Sequence, residues 1–303
     1  MNIKKILIRA VTLIAVLSML FTAVACDEQN PGENPDTPER YGEGTSDVEI
    51  ENFVHGFIEA DAYHAQETTI ADTKSNMEFK VDTVYYCFME FEIVARNLND
   101  GTSLMDVLVR FDNLAVADGT TEEAGTGNAT DMIFTDAATG TNSKETTLVY
   151  KIPSDPDKVK KIKILVRIQP VTVGQSHISV SFNSTVDGEF KILGESADGF
   201  TKNLTIDRVQ IEAPVITVDK EALKVQWKHV KHADYYLIYL DNKSIKFEGV
   251  DKYTGVGSDL EFDLTQFVEL DMRYGTVKVQ ACSNSDNFMK STYSNSVAGV
   301  SIG

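Results

Sequence analysis

The sequence predicts an all-β protein: tandem immunoglobulin-like β-sandwiches that follow a signal peptide and a disordered acidic tether. From Asp47 onward, short β-type runs are separated by clusters of Gly, Asp, Asn and Pro. The runs 162–168 (IKILVRI) and 177–182 (HISVSF) alternate with a period of two, which places one face on a core and the other in water. No long segment has a clear helical period of 3.6 residues.

Residues 47–212 are predicted to form a first β-sandwich domain. One element at its start is ambiguous: residues 57–67 (FIEADAYHAQE) are the best helical candidate, whereas residues 52–58 could equally form an opening strand. Whether the domain is one sandwich or two small ones stays open. Its clearest predicted strands are 84–95, 104–111, 147–152, 162–168, 177–182 and 204–211.

A long polar stretch, 113–145, interrupts this pattern. It is rich in Gly, Thr, Ala and Asp, and only Met132, Ile133 and Phe134 break its polarity. Loops of this length are usually functional or mobile, so we predict a polar insertion with one edge strand at its centre, or else a ligand-facing loop. Four of its acids could supply oxygens to Ca²⁺, although their spacing matches no EF-hand loop: Asp118, Glu122, Glu123 and Asp131.

Residues 213–303 contain about seven short β-type runs and the single Trp of the chain, Trp227, which is the pattern of an immunoglobulin-like sandwich. The order L-x-V-x-W, A-x-x-Y-x-I-Y, F-D-L, V-x-V-x-A and S-N-S-V resembles a fibronectin type III module. The resemblance implies that Trp227 and Tyr236 pack between two sheets. Gly275 stands where that family usually has a corner tyrosine, and the adjacent Tyr274 is a candidate substitute through a shifted register.

The N-terminus has the three parts of a secretory signal, which predicts removal of residues 1–25. Its apolar run, 10–25, is too short for a comfortable membrane-spanning helix. The run ends in AVAC, which resembles the lipobox of bacterial lipoproteins. The resemblance implies that Cys26 is lipidated and anchors the protein to a cell membrane, facing the extracytoplasmic side. Ala23 stands where the family usually has Leu, and plain secretion after signal cleavage is the alternative.

Residues 26–46 are acidic, rich in Pro and Gly, and poor in large apolar side chains, which predicts a flexible linker. The formal charge of the whole chain is −18, and removal of a signal with three basic residues and no acidic one takes it to −21. Such a surface repels phosphate backbones, so we expect no nucleic acid partner. It also repels anionic lipid, so acyl chains must hold the protein to the membrane.

The sequence marks no catalytic, cofactor or metal site, and we predict a protein that is not an enzyme. It has no nucleophile elbow, P-loop or dinucleotide motif in the required context. Cys87 and Cys282 lie in strand-like runs of different predicted domains and are expected to be small buried hydrophobes. Two histidine pairs are weak metal candidates: His229 with His232, and His55 with His64.

These features lead us to expect a non-catalytic, membrane-anchored surface lipoprotein that acts as a spacer, adhesion or binding module, with an extracellular glycan or protein as its ligand. The alternative is a carbohydrate-binding accessory lipoprotein whose N-terminal sandwich is the lectin-like module and whose last sandwich is a stalk. A solvent-facing row of coplanar rings would favour glycan binding, whereas ordinary cross-strand packing would not. The candidate rings are Tyr85, Tyr86, Phe88, Phe91, Tyr235, Tyr239 and Tyr253.

Overall fold

The computed structural model describes residues 46–65, 67–97, 101–138, 142–185, 190–251 and 254–302. The predicted signal peptide, Cys26 and nearly all of the predicted linker lie outside these residues. The described residues belong to one compact unit, Gly44–Gly303. They form β-strands and short 3₁₀ helices, and none of these helices is long and apolar enough to cross a membrane. The all-β prediction is confirmed.

The first sandwich has twelve described strands in two six-stranded sheets. Sheet A has the strand order β11-β1-β3-β9-β5-β6, and sheet B has the order β2-β12-β10-β4-β8-β7. Neighbouring strands are antiparallel except at the pairs β1/β11 and β2/β12. The strands are β1 (Ser46–Glu59), β2 (Phe79–Lys80), β3 (Tyr85–Ala95), β4 (Leu104–Asp112), β5 (Leu114–Glu123), β6 (Ala129–Asp131), β7 (Thr135–Asp136), β8 (Lys144–Lys151), β9 (Val159–Pro170), β10 (Gly174–Ser184), β11 (Phe190–Leu193) and β12 (Phe200–Asp207).

The core of the first sandwich lies between these sheets. Alternate residues of β9 from Ile162 to Ile168 are buried, as the period-two pattern predicts, and they pack with the alternate buried residues of β4 and β10. Burial of each such aliphatic side chain stabilises the fold by about 1.5–3 kcal/mol. Tyr85 is fully buried in the same core, and its hydroxyl accepts a hydrogen bond from the backbone N–H of Lys80 at 2.9 Å.

The helical prediction for residues 57–67 is wrong, and the alternative of an opening strand is correct. Strand β1 continues to Glu59, and the 3₁₀ turn Ala60–Ala62 follows it. Phe57 is buried in the core, and it both donates and accepts a 2.9 Å backbone hydrogen bond with Lys74. Pairing with β3 along almost the whole of β1 therefore overrides the weak local helix preference.

The predicted insertion 113–145 is instead part of the sandwich, because β5 pairs with β9 along its length and β6 and β7 extend the two sheets. The inward positions of β5 include Gly119 and Thr121, so the strand lacks an apolar face in sequence. The space above Gly119 is filled by the ring of Phe134, which lies 3.0 Å from where a β-carbon would be. Met132 is buried in the same core, although residues 132–134 form no strand.

The second sandwich has a three-stranded sheet C, order β14-β15-β18, and a four-stranded sheet D, order β17-β16-β19-β21. Ile211 already packs in its core, two residues before the predicted boundary at 213, and that boundary stays a prediction. The strands are β13 (Val209–Gln210), β14 (Ile216–Asp219), β15 (Lys224–Lys228), β16 (Tyr235–Leu240), β17 (Lys243–Phe247), β18 (Asp259–Asp263), β19 (Tyr274–Cys282), β20 (Phe288–Met289) and β21 (Val297–Ser301), with β13 and β20 forming a short parallel pair.

The core of the second sandwich is built around two large aromatic side chains. Trp227 and Tyr236 are buried, and their rings meet edge to face with centroids 5.2 Å apart. Tyr274 does not replace the corner tyrosine, because it is 65% exposed. A different contact holds this end of the sheet: Asp241 accepts a hydrogen bond from the N–H of Thr276 at 2.8 Å, and a β-carbon on Gly275 would crowd its carboxylate.

The strand directions place the two ends of the described chain at opposite poles. β1 begins where β3 ends and β9 begins, since Val48 pairs with Ala95 and Val94 pairs with Val159. The other pole of the first sandwich meets the second sandwich. β21 ends at the pole of the second sandwich remote from this junction, because Ile302 donates its N–H to the carbonyl of Arg273, just before β19 begins.

Candidate functional site

The outer face of sheet A carries a cluster of aromatic rings. Tyr86 and Phe88 point outward because Tyr85 and Cys87, their neighbours in β3, point into the core. The ring of Tyr63 lies over Tyr86 with centroids 3.9 Å apart and planes tilted by 30°, and it lies 6.1 Å from Phe88. These contacts join residues 60–74, which follow β1, to the outer face of the sheet.

A row of charged side chains crosses the same face beside the rings. The register pairs Glu90 of β3 with Lys163 of β9, and Lys163 with Glu122 of β5. Glu90 forms an ion pair with Lys161 at 3.1 Å. Among the residues that the structure describes, Lys163 and Glu122 form no ion pair within 4.0 Å. Both groups are therefore free to meet a ligand.

Residues 60–65 and 67–74 form a wall along this face because Gly56 lets them approach the sheet. A β-carbon on Gly56 would lie 1.7 Å from the hydroxyl oxygen of Thr73, so no larger residue fits there without displacement. The wall is braced internally, since Asp72 accepts hydrogen bonds from the backbone N–H and the hydroxyl of Thr69 at 2.8 Å. These hydrogen bonds hold the pKa of Asp72 below its ordinary value.

The wall, the charged row and the β5–β6 hairpin enclose a cavity of about 490 Å³, which we call the outer-face groove. Its wall is formed by residues between Tyr63 and Ile70, and Ala129 of β6 lies on the other side. The floor is apolar at Phe88 and Leu165, and it is polar at Thr120, Glu90, Lys163 and Glu122. A volume of this size and a mixed lining are typical of small-molecule sites.

The predicted aromatic candidates fall into three groups. Tyr85 and Phe91 are fully buried in the core, whereas Tyr86 and Phe88 lie on the outer face of sheet A. Tyr235 and Tyr239 lie half-buried on the outer face of sheet D, and Tyr253 lies outside the described residues. The rings near the groove are not a coplanar row, because Tyr63 and Phe88 are inclined by 59°. The groove, rather than a flat platform, is the feature that could hold a ligand.

The predicted histidine pairs do not form metal sites. His229 is buried with its Nδ1 atom 3.1 Å from the Tyr236 hydroxyl, and burial lowers its pKa. His55 packs on Phe200, and burial followed by the charge of Lys202 lowers its pKa. Across the described ranges of the chain, no group of three or more His, Cys, Asp or Glu side chains could hold a metal ion. Glu123, one of the acids considered for Ca²⁺, pairs instead with Lys160 at 3.0 Å.

A cluster around Asp112, which sequence reasoning missed, contains the residue types of a catalytic triad in the wrong order. Asp112 accepts a hydrogen bond from the Ser143 hydroxyl, and its other oxygen lies 2.5 Å from Nε2 of His177. Catalysis needs the histidine between the other two residues, whereas here the carboxylate lies between them. Burial raises the pKa of Asp112, but hydrogen bonds from Ser143 and Arg110 and the charge of His177 outweigh it and lower the pKa below its ordinary value. The cluster is therefore a structural hub.

The junction between the sandwiches is a second feature that the sequence did not mark. Asp82 of the first sandwich pairs with Lys231 at 2.5 Å and with His232 at 2.9 Å. His232 stacks on Phe288 with centroids 4.0 Å apart, and Phe288 packs against both hydrophobic cores. Asp82 and His232 both have positive φ, 60° and 67°, a conformation uncommon outside glycine. The surrounding contacts must hold this backbone in place.

Asn287 adds a second set of bonds across the junction. Its side-chain oxygen accepts from the N–H of Val173 at 3.0 Å, and its amide donates to the carbonyl of Val171 at 3.1 Å. The single side chain of Asn287 thus makes the donor and acceptor hydrogen bonds that a paired strand would make. The loop 286–288 (DNF) could not be recognised from the sequence as a contact between domains. The side chain of an Asn in a turn usually hydrogen-bonds to the nearby backbone of its own loop.

The two described cysteines behave as predicted. Cys87 and Cys282 are free thiols buried in separate cores, and burial raises the pKa of each. Such thiols are poor nucleophiles.

No protein-family model and no curated protein matches this chain. The chain is similar in structure to the T6 backbone pilin of serotype M6 Streptococcus pyogenes, with 12% identity and a TM-score of 0.32 over 82% of this chain and 51% of that one, so it spans about half of that pilin. It is also similar to BcpA, the major pilin subunit of Bacillus cereus, with 10% identity and a TM-score of 0.30 over 84% of this chain and 67% of that one.

A cohesin module from a Clostridium perfringens family 33 glycoside hydrolase is a third similar structure, with 15% identity and a TM-score of 0.26 over 44% of this chain and 92% of that one. Similarities at these TM-scores carry no functional argument.

Proposed function

We propose that this protein is a non-catalytic, lipid-anchored surface protein that displays its sandwiches as spacer and binding modules outside the cytoplasm. The observation that carries the proposal is the placement of Ser46 and Ile302 at opposite poles of the described residues. In this proposal the chain runs from a lipid on Cys26 into the first sandwich at one pole and ends in the second sandwich at the other.

The junction supports a role in display. The ion pair of Asp82 with Lys231, its contact with His232, the ring of Phe288 shared by both cores and the two hydrogen bonds of Asn287 restrict how far one sandwich swings against the other. Inter-domain contacts within a chain otherwise permit relative motion by default. Two modules held in this way keep a fixed distance from each other.

We propose in addition that the second sandwich is a fibronectin type III-like module. Its three-stranded and four-stranded sheets, with Trp227 and Tyr236 packed between them, support this assignment. The corner held by Asp241 instead of a tyrosine is its main departure from that family.

Metabolic labelling with palmitate tests the anchor. The full chain is expected to take up label and to begin at an acylated Cys26 by mass spectrometry, whereas Cys26→Ser removes the label. Cys282→Ala is the matched control and keeps it. An unlabelled full chain, or a labelled Cys26→Ser variant, would contradict the anchor.

A second candidate function, carbohydrate binding by the first sandwich, is favoured by the outer-face groove. That the last sandwich acts as the stalk of this module stays a prediction. A glycan array with the full chain, with and without Ca²⁺, tests this candidate. Reproducible binding supports it, and silence on every neutral and charged glycan counts against it.

A further inference from the structure

We infer that the outer-face groove binds a linear, uncharged carbohydrate chain, with Phe88 beneath a sugar ring and Glu122 as a hydrogen-bond acceptor for its hydroxyls. This inference deepens the second candidate function and rests on it. It does not depend on the lipid anchor, because the groove lies entirely within the first sandwich.

The apolar part of the floor fits the carbon face of a sugar. Phe88 and Leu165 are neighbours across β3 and β9, both only partly buried, with the hydroxyl of Thr120 next to Leu165 in β5. A pyranose ring presents C–H groups on one face and hydroxyls around its edge. An aromatic floor bordered by a hydroxyl matches that distribution, because rings bury apolar area while polar neighbours fix orientation.

The charged row can form hydrogen bonds with the hydroxyl groups of a sugar. Glu122 and Lys163 are side by side in the ladder and, within the described residues, neither is neutralised by an ion pair within 4.0 Å. A carboxylate accepts hydrogen bonds from hydroxyls, and an ammonium group donates to them. Hydrogen bonds to charged groups are the stronger ones, so this pair can orient a neutral ligand without a charge on the ligand.

The charge balance disfavours acidic sugars. Within the row, Glu90 is paired with Lys161 and Glu122 lies beside Lys163, so the row itself has no net charge, whereas the chain as a whole has a formal charge of −18. A uronate or sulfated sugar would meet this overall negative potential. The ligand is therefore an uncharged chain.

The floor also disfavours an extended peptide. At the groove, strands β3 and β9 and residues 120–122 of β5 are paired on both sides within sheet A, so their backbone groups are already used in the ladder. A peptide that adds as a strand needs a free sheet edge. Three adjacent strands span about 10 Å. A carbohydrate chain bound across them would contact their outward side chains and would need no free backbone groups.

Isothermal titration of the full chain with four hexasaccharides tests the inference. The probes are cellohexaose, xylohexaose and mannohexaose as uncharged chains, and hexagalacturonate as the acidic chain. We expect at least one uncharged probe to bind and hexagalacturonate to bind more weakly. Glu122→Gln and Phe88→Leu should each weaken the binding about tenfold, because each removes one strong contact.

Two variants on the second sandwich are matched controls: Glu221→Gln changes an exposed carboxylate, and Tyr293→Leu changes an exposed ring. Both should leave the affinity unchanged. The inference is overturned if no uncharged probe binds to protein with a native circular dichroism spectrum, if hexagalacturonate binds more tightly than they do, or if the controls lose as much affinity as the groove variants. Loss of palmitate label with retained sugar binding would overturn only the anchor.

Discussion

The outer faces of sheet A in the first sandwich and sheet D in the second differ in what covers them. In sheet A, residues 60–74 return across the face and convert it into a groove. In sheet D the face stays open, and Lys246 and Lys278 lie over the rings of Tyr235 and Tyr293 at 4.4 and 5.3 Å. The difference shows that a groove on such a face needs a returning segment as well as the sheet, and that a single glycine, Gly56, makes room for it.

The largest expected effect is on the buried hub of the first sandwich. Asp112→Ala leaves Ser143, Arg110 and His177 without their common partner and should lower the free energy of unfolding by about 3 kcal/mol. Asp259→Ala in the second sandwich removes only an exposed pair with Lys228 and should cost less than about 0.5 kcal/mol. Urea titrations of both variants measure this contrast, and equal losses would contradict it.

The cluster around Asp112 should also make the stability of the first sandwich depend on pH. Because the folded pKa of Asp112 is lower than its ordinary value of about 3.9, its stabilising contribution is present above that value and is lost as the pH falls through the lower folded pKa. The difference in stability between the full chain and Asp112→Ala should therefore shrink in strong acid. Urea titrations between neutral and acidic pH test this, and a constant difference would contradict it.

The wall of the groove gives the next largest effect. Gly56→Ala places a β-carbon against Thr73, whose hydroxyl donates to the carbonyl of Ile70 at 2.7 Å, and should cost about 2 kcal/mol while displacing the wall. Gly255→Ala is the matched control, because its β-carbon would meet only the Ser258 hydroxyl at 3.6 Å. Thermal unfolding compares them. A harmless Gly56→Ala would mean that the wall is not held as described.

The junction should respond more weakly. Asn287→Ala removes both side-chain hydrogen bonds to Val171 and Val173 and should weaken the coupling of the sandwiches by about 1 kcal/mol. Each sandwich should keep its own fold, while small-angle scattering should show a wider distribution of inter-domain distances. An unchanged scattering profile would contradict the proposed restraint.

The smallest effect belongs to the open face of the second sandwich. Tyr293→Ser removes a 49% exposed ring that meets Tyr239 edge to face, and it should change the free energy of unfolding by less than about 0.5 kcal/mol. Urea titration is sufficient to measure it. A loss as large as that of Gly56→Ala would mean that the open face is a packed structural element.

The strands that could be predicted from the sequence are those in which apolar core residues alternate with outward-facing residues along the strand. The run 162–168 and the strands around Trp227 are examples, because each buries its own apolar residues. β5 was missed because Gly119 relies on Phe134 from another segment to fill its core space. Strand β17 (Lys243–Phe247) was missed because its outward lysines mask the pattern. Tyr86 and Phe88 were candidates for ligand contact, but the wall opposite them depends on a tertiary contact at Gly56.

The affinity of an uncharged hexasaccharide for the full chain, for Gly56→Ala and for Gly255→Ala tests most directly the claim that the returning segment builds the binding site. We expect the full chain and Gly255→Ala to bind equally and Gly56→Ala, although folded, to lose most of its affinity. Equal binding by all three proteins, or binding by none, would contradict it.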